Sequence, residues 1–147
     1  MRQNIRILLA DDDADDRYFF RNALSDSEIN ADLTAVEDGQ QLIDLLTMAL
    51  DPSDPEVIFL DINMPGMDGK TCLREIRNHV EFAGTPIIML STSTRAKDID
   101  ETYRDGANMY ISKTLFFMNS VEWIEKLFPS DWLQGMSHPS REKFAFT

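Results

Sequence analysis

Four places in this 147-residue sequence carry side chains that could act together in polar chemistry. The first is the acidic run Asp11-Asp12-Asp13, followed by Asp15 and Asp16. The second is Asp61, which opens Asp61-Ile62-Asn63-Met64-Pro65-Gly66-Met67-Asp68-Gly69. Ser91 and Thr92 form the third, and Lys113 is the fourth. Brought together, such groups need a reason to coexist, because two carboxylates about 4 Å apart repel by about 4 kcal/mol at an effective dielectric near 20. A hard divalent cation relieves that repulsion, and Mg²⁺ favours one or two carboxylates, several waters and a phosphate oxygen. Lys113 would add a compact positive charge, able to pair with Asp61 or with a transferred phosphoryl group. Ser91 could donate to another phosphoryl oxygen. An acceptor, a metal, a lysine and a hydroxyl are the parts that phosphoryl transfer uses for positioning and charge stabilisation.

Each group alone has a plainer explanation. Asp13, Asp15 and Asp16 read as a solvated loop and helix N-terminus near Ala14. A lone strand-end lysine is exposed and a lone serine caps a helix. Whether the four sites meet depends on the elements that carry them.

Short, wholly apolar runs occur at Ile5–Ala10, Val57–Leu60 and Ile87–Leu90, with weaker ones at Leu33–Val36 and Met109–Ile111. Runs of this length suit strands covered on both faces. Segments with helical spacing separate them, marked in turn by Tyr18, Phe19 and Leu24; Leu42, Leu45, Leu46 and Ala49; Leu73 and Ile76; Ile99 and Tyr103; and Val121, Ile124 and Phe128. Gly39 precedes the second helix, Asp51-Pro52-Ser53-Asp54-Pro55 ends it, and Gly106 stops the fourth. Asn119 with Glu122 resembles a capping box for the last helix. Strand and helix thus alternate five times, which predicts an α/β fold with an open, doubly wound five-stranded parallel sheet. Ligands bind such sheets beyond the carboxyl ends of the strands. All four chemical sites fall at strand ends, on one edge of the sheet.

Composition bounds the alternatives. The length fits one domain, and with 43% hydrophobic and 27% charged residues it reads as an ordinary globular chain. A single cysteine, Cys72, excludes an internal disulfide, fits a reducing cytoplasm, and reads as a small apolar filler. The N-terminal apolar stretch is too short for a signal-peptide core or membrane span. A net charge of −12, with Arg2, Arg6, Arg95 and Lys97 standing apart, argues against nucleic acid as a partner.

Over roughly residues 5–128 the chain resembles the receiver domain of two-component response regulators. The residues that carry the resemblance are Ile7-Leu8-Leu9-Ala10-Asp11-Asp12, the run Phe59 to Gly69, Ile88-Met89-Leu90-Ser91 and Lys113. It implies a flavodoxin-like (βα)5 fold with strand order 2-1-3-4-5. It also implies that Asp61 accepts a phosphoryl group from a sensor histidine kinase or phosphotransfer protein. Mg²⁺, with Mn²⁺ as a candidate substitute, would be held by Asp12, Asp61 and the Asn63 backbone carbonyl, and by Asp11 through water. Ser91 would be the switch hydroxyl, Lys113 the phosphate-contacting lysine, and Tyr110 the aromatic that turns inward on activation. By this resemblance the protein catalyses only its own phosphorylation and dephosphorylation. A homodimer through the fourth helix, fifth strand and fifth helix is a candidate assembly.

One departure stands out. The family usually has proline after the lysine, where this chain has Thr114; because a non-proline cis peptide costs roughly 2.5–4 kcal/mol, a trans peptide and an altered loop are expected. Residues 129–147 are too few for an independent domain, which needs roughly 40. The expectation is a receiver over 1–128 with a tail over 129–147, no output domain, and an unidentified downstream protein. Trp132 and Leu133 read as a strap over the last helix and resemble the ending of stand-alone receivers paired with phytochrome-type kinases. Phe144 and Phe146 read equally as a partner-binding end or a disordered one.

Two other functions are considered. One is a receiver fold used as a phosphorylation-independent binding module. The other is a haloacid-dehalogenase-type phosphatase, suggested by Asp11 and Asp13, which would want Thr or Val where Asp15 stands. An EF-hand is excluded, because Asp16 stands where glycine is required and Asn22 where glutamate is.

Overall fold

The computed structural model describes residues 4–48, 55–128 and 138–147. Its strands are β1 (Ile5–Ala10), β2 (Ala31–Val36), β3 (Val57–Leu60), β4 (Ile87–Ser91), β5 (Met109–Ser112) and β6 (Ala145–Phe146). All pair in parallel, in the order β2-β1-β3-β4-β5-β6. The expected order 2-1-3-4-5 is therefore present, extended by a two-residue sixth strand from the tail. The helices are α1 (Ala14–Asp26), α2 (Gly39–Met48), α3 (Gly69–Asn78), α4 (Ala96–Arg104), α5 (Lys113–Met118), α6 (Ser120–Leu127) and α7 (Arg141–Phe144).

Strand alternation divides the core into two layers. Leu8, Ala10, Ile58, Leu60, Met89 and Tyr110 face one side, with Leu42, Leu73, Ile76 and Ile99 from α2, α3 and α4. Ile7, Leu9, Phe59, Leu90 and Ile111 face the other, with Phe20 and Leu24 of α1, Phe116 of α5 and Ile124 of α6. All four residues of β3 are buried, as a strand covered on both faces should be. Cys72 fills the first layer, and burial pushes its thiol up to about 12.

Several local expectations change. Helix α1 buries Phe20, Ala23 and Leu24, whereas Tyr18 and Phe19 are exposed. The apolar run offered two phases for that helix, and the one that meets Phe59 and Phe116 is used. An additional helix, α5, precedes the expected last one, which begins after Asn119 as read, although the Asn119 side chain at the N-cap makes no capping bond. Gly39 opens α2 instead of preceding it, and Gly106 adopts φ 101° after α4 as expected of a stop. Leu45 is partly exposed. Ala49, the Asp51–Asp54 break and the Trp132–Leu133 strap lie outside the described residues.

The tail is the largest departure. Phe144 is fully buried between Tyr103 and Tyr110, neither a free end nor disordered. Burying one such ring contributes about 1.5–3 kcal/mol before ordering costs.

At the opposite edge of the sheet from the strand carboxyl ends, Arg77 of α3 donates to the carbonyls of Phe82 and Gly106 and to Asn108 Oδ1. Asn108 in turn accepts from the Ile87 amide, where β4 begins. Arg77→Ala removes three charge-assisted bonds from partly buried acceptors. It is expected to cost about 2–4 kcal/mol, read as a lowered urea midpoint at unchanged slope.

Candidate functional site

The order 2-1-3 puts the winding reversal between β1 and β3, where a crevice opens. Ala10 pairs with Leu60, so Asp11 and Asp61 leave adjacent strands at the same level. Ser91 pairs with Ser112 one strand further on, which brings Lys113 to the same edge. Local chemistry then fixes each side chain. The Asp13 carboxylate accepts from the Asp15 and Asp16 amides and starts α1 immediately after Asp11. Asp68 likewise caps α3. Gly69 tucks beneath Asp61, donating its N–H to the Ile62 carbonyl at 2.7 Å. A Cβ at Gly69 would lie 1.9 Å from the Asp61 carbonyl oxygen, so no side chain fits there.

Ser112 caps α5 by accepting from the Leu115 amide, which makes Lys113 the first helical residue. The altered loop expected from Thr114 is thus a direct strand-to-helix passage, and Lys113 is 5% exposed within the site. A cation at a helix N-terminus opposes the helix dipole. Three carboxylates compensate: Lys113 Nζ lies 2.7 Å from Asp16 Oδ2, 2.8 Å from Asp11 Oδ2 and 3.1 Å from Asp61 Oδ2. Burial alone would lower the lysine pKa, but hydrogen bonds to Asp11 and Asp16 and the charge of Asp61 raise it. Asp16 was read from the sequence as part of a solvated helix start. Its place in the first turn after an active-edge strand was the available signal, obscured by the cap role of its neighbours.

Carboxylate oxygens of Asp11, Asp12 and Asp61 lie within 4.8 Å of one another. Burial raises the Asp61 pKa against the opposing pull of Lys113. Among the described residues Asp61 Oδ1 is buried without a hydrogen-bond partner, a cost that a cation or a covalent partner would remove. The residues therefore fit a divalent metal, with Asp12 and Asn63 on the exposed rim.

Ser91 is fully buried, and its Oγ accepts from the Ser93 amide. Tyr110 is also fully buried, with its hydroxyl donating to the Ser93 carbonyl at 2.8 Å, and burial raises its pKa. Sequence reading missed the acid behind this loop. Asp98 of α4 accepts from Ser93 Oγ and from Arg95, and it pairs with Lys70 of α3. Burial alone would raise the Asp98 pKa, but the bonds from Lys70, Ser93 and Arg95 outweigh it and hold it well below the carboxylate range. Arg95, set aside as an isolated charge, is one of these partners; its i,i+3 spacing to Asp98 was the readable signal.

Burial lifts the Asp11 carboxyl from 3.8 to about 6 despite Lys113. Asp11 therefore holds an extra proton in the folded chain between those values, and its contribution to stability falls as pH rises from about 4 to about 6. Asp11→Asn is expected to flatten that slope and to raise metal-free stability at pH 7.5 by about 1–3 kcal/mol. Mg²⁺ should stabilise the wild type far more than the variant. Urea unfolding in chelator and in Mg²⁺, at both ends of the pH range, measures all three.

A family model described as "Response regulator receiver domain" matches residues 7–124. Response regulator Rcp1 of Synechocystis is 26% identical over 137 residues, covering 91% of this chain and 92% of that protein. Chemotaxis protein CheY-3 of Vibrio cholerae is 30% identical over 128 residues, covering 87% and 95%. Among solved structures, the phosphorylated cyanobacterial phytochrome response regulator RcpA superposes with a TM-score of 0.76 at 28% identity, covering 88% of this chain and 96% of that one. The Mn²⁺-bound form of Rcp1 gives 0.74 at 26%, covering 92% and 99%. Family match, near full-length relatives and fold agree, and the chain belongs to the response regulator receiver family.

Proposed function

We propose that the protein is a stand-alone receiver that takes a phosphoryl group onto Asp61 from a histidine kinase or phosphotransfer protein, in a Mg²⁺-dependent step, and signals through protein contacts. The observation that carries this reading is the asymmetry of Asp61. Its Oδ2 is held by Lys113, while its Oδ1 is buried with no hydrogen-bond partner among the described residues.

A carboxylate oxygen of Asp61 forms the new bond to phosphorus as the donor's P–N bond breaks, and the proton needed by the leaving imidazole comes from solvent or from the donor. Asp11, Asp12, Asp61 and the Asn63 carbonyl would hold the cation, which neutralises charge on the transferred group. Lys113 is positioned to donate to a phosphoryl oxygen, and Ser91 to supply the hydroxyl to another. Asp11 and Asp16 keep Lys113 charged and in place. The same proposal covers a receiver over 1–128 with an accessory tail over 129–147, a cytoplasmic location, and turnover confined to the protein's own aspartyl phosphate. The similarity to RcpA, a cyanobacterial phytochrome response regulator, supports a phytochrome-type kinase as the donor.

A binding module independent of phosphorylation is favoured by one observation. Phe144 packs on the buried Tyr110 at the edge of the sheet, a contact in which Asp61 takes no part.

Acetyl phosphate with Mg²⁺ is expected to label the wild type with one alkali-labile phosphoryl group. Asp61→Asn should take none. Lys113→Ala should label at least 100-fold more slowly, the scale set by losing one charge-stabilising donor. Intact mass and retained radiolabel read the result. Label on Asp61→Asn equal to wild type would remove the assignment, and labelling with partner affinity unchanged would favour the binding module.

A further inference from the structure

A cavity of about 420 Å³ lies at the amino end of the sheet, beneath the starts of β4 and β5 and between the last turns of α3 and α4. Arg77, Gly84, Arg104, Gly106, Asn108 and His138 line it. Its volume falls within the range of small-molecule sites, roughly 300–1,000 Å³. Its charge is opposite to that of the chain. The protein carries a net −12, yet among the described residues no carboxylate lines this cavity. The nearest acids have cations of their own. Asp105 takes Arg74 at 3.2 Å, and Glu101, whose charge reaches Arg104, is bonded by Lys70 at 2.6 Å.

Arg77 is the deepest of the cations. Its bonds go only to neutral acceptors, the Gly106 carbonyl at 3.0 Å, the Phe82 carbonyl at 2.7 Å and Asn108 Oδ1 at 2.9 Å. Burial lowers its pKa, and no charged partner opposes that shift. A guanidinium has five N–H donors, so two of them lack a partner among the described residues. A partly buried cation without an opposite charge is a cost that a bound anion removes. Arg104 is exposed on the rim, and among the described residues neither its side chain nor the Gly84 amide makes a hydrogen bond. His138 completes the rim, its ring fixed by stacking on Tyr103 at 4.2 Å. A cation in a last helical turn complements the helix dipole, which accounts for one arginine on α3 and one on α4. It does not account for both lining one cavity.

We propose that this cavity is a binding site for a small phosphate ester, held by the Arg77 and Arg104 guanidiniums with the Gly84 amide as a further donor. A phosphate group suits the donor set better than a carboxylate does. Its three terminal oxygens accept from two guanidinium forks and an amide at once, whereas a carboxylate offers two oxygens to a single fork. The cavity has room beside that group for the organic part of the ligand. The site is at the opposite end of the sheet from Asp61 and requires neither a metal nor a modified acceptor.

The test titrates glycerol 3-phosphate, inorganic phosphate and acetate separately into the full-length protein, in chelator and at constant ionic strength. Amide ¹H–¹⁵N spectra at each step locate the binding. Glycerol 3-phosphate is expected to give saturable shifts at Gly84, Gly106 and Asn108, with inorganic phosphate weaker and acetate without effect. Arg104→Ala, a surface change, should weaken the binding about 10-fold, the scale of one charge-assisted hydrogen bond. Arg104→Glu should abolish it. Shifts that never saturate, or an unchanged midpoint in Arg104→Glu, would overturn the site. Saturation by inorganic phosphate alone would mean an adventitious ion only, and an equal midpoint for acetate would overturn the choice of phosphate. Shifts centred on Asp61 and Lys113 would place the ligand in the acceptor pocket and overturn the proposal as well. Labelling of Asp61 is measured separately, so failure of one reading is distinguishable from failure of the other.

Discussion

Lys113 and the three carboxylates around it form the interaction on which the site rests. Asp11, Asp16 and Asp61 arrive from β1, α1 and β3, and their mutual repulsion would splay the carboxyl ends of those strands. One ammonium, buried at the start of α5, holds them together. The arrangement leaves a deficit, because one positive charge faces several negative ones, and burial accordingly pushes both Asp11 and Asp61 toward holding a proton. That deficit is what a divalent cation would fill. The site is therefore built to be incomplete when metal-free, a cost that ordinary core packing in the two layers has to carry.

A second polar centre governs what surrounds the first. Asp98 gathers Lys70 from α3, Ser93 from the loop after β4 and Arg95 from the start of α4. Ser93 also receives the Tyr110 hydroxyl on its carbonyl and donates its own amide to Ser91 Oγ. Ser91 and Tyr110 therefore meet at Ser93: the four-residue loop 92–95 anchors the acid on one side and the ring under the tail on the other.

The sequence made the strand ends legible because strands buried on both faces leave unbroken apolar runs, and the polar residue that ends each run is conspicuous. Asp11, Asp61, Ser91 and Lys113 were found that way. Asp16 was not, because an acid in a first helical turn has a sufficient explanation in the helix dipole. Tyr18 and Phe19 were assigned to the core because Tyr18-Phe19-Phe20 is apolar at three consecutive positions, and only the partners Phe59 and Phe116 decide its phase. The tail was illegible for a different reason. A one-turn helix and a two-residue strand carry no periodicity, and their stability comes from contacts with Tyr103, Tyr110 and Trp123, which are distant in sequence. Asn119 shows the converse error, since a capping pattern can be present in sequence without the bond being made.

Access to Asp61 follows from which groups are covered. Asp61, Asp11, Ser91 and Lys113 are buried, while Asp12, Asn63 and Thr92 are exposed. Asp16 and Lys113 close the side next to α1, and Gly69 closes the floor so tightly that even a methyl group is excluded. What remains open is the rim marked by Asp12, Asn63 and Thr92. That rim is the side from which a cation would reach the carboxylates of Asp11, Asp12 and Asp61, and the burial that raises the pKa of Asp11 and Asp61 is what would make a positive partner there favourable.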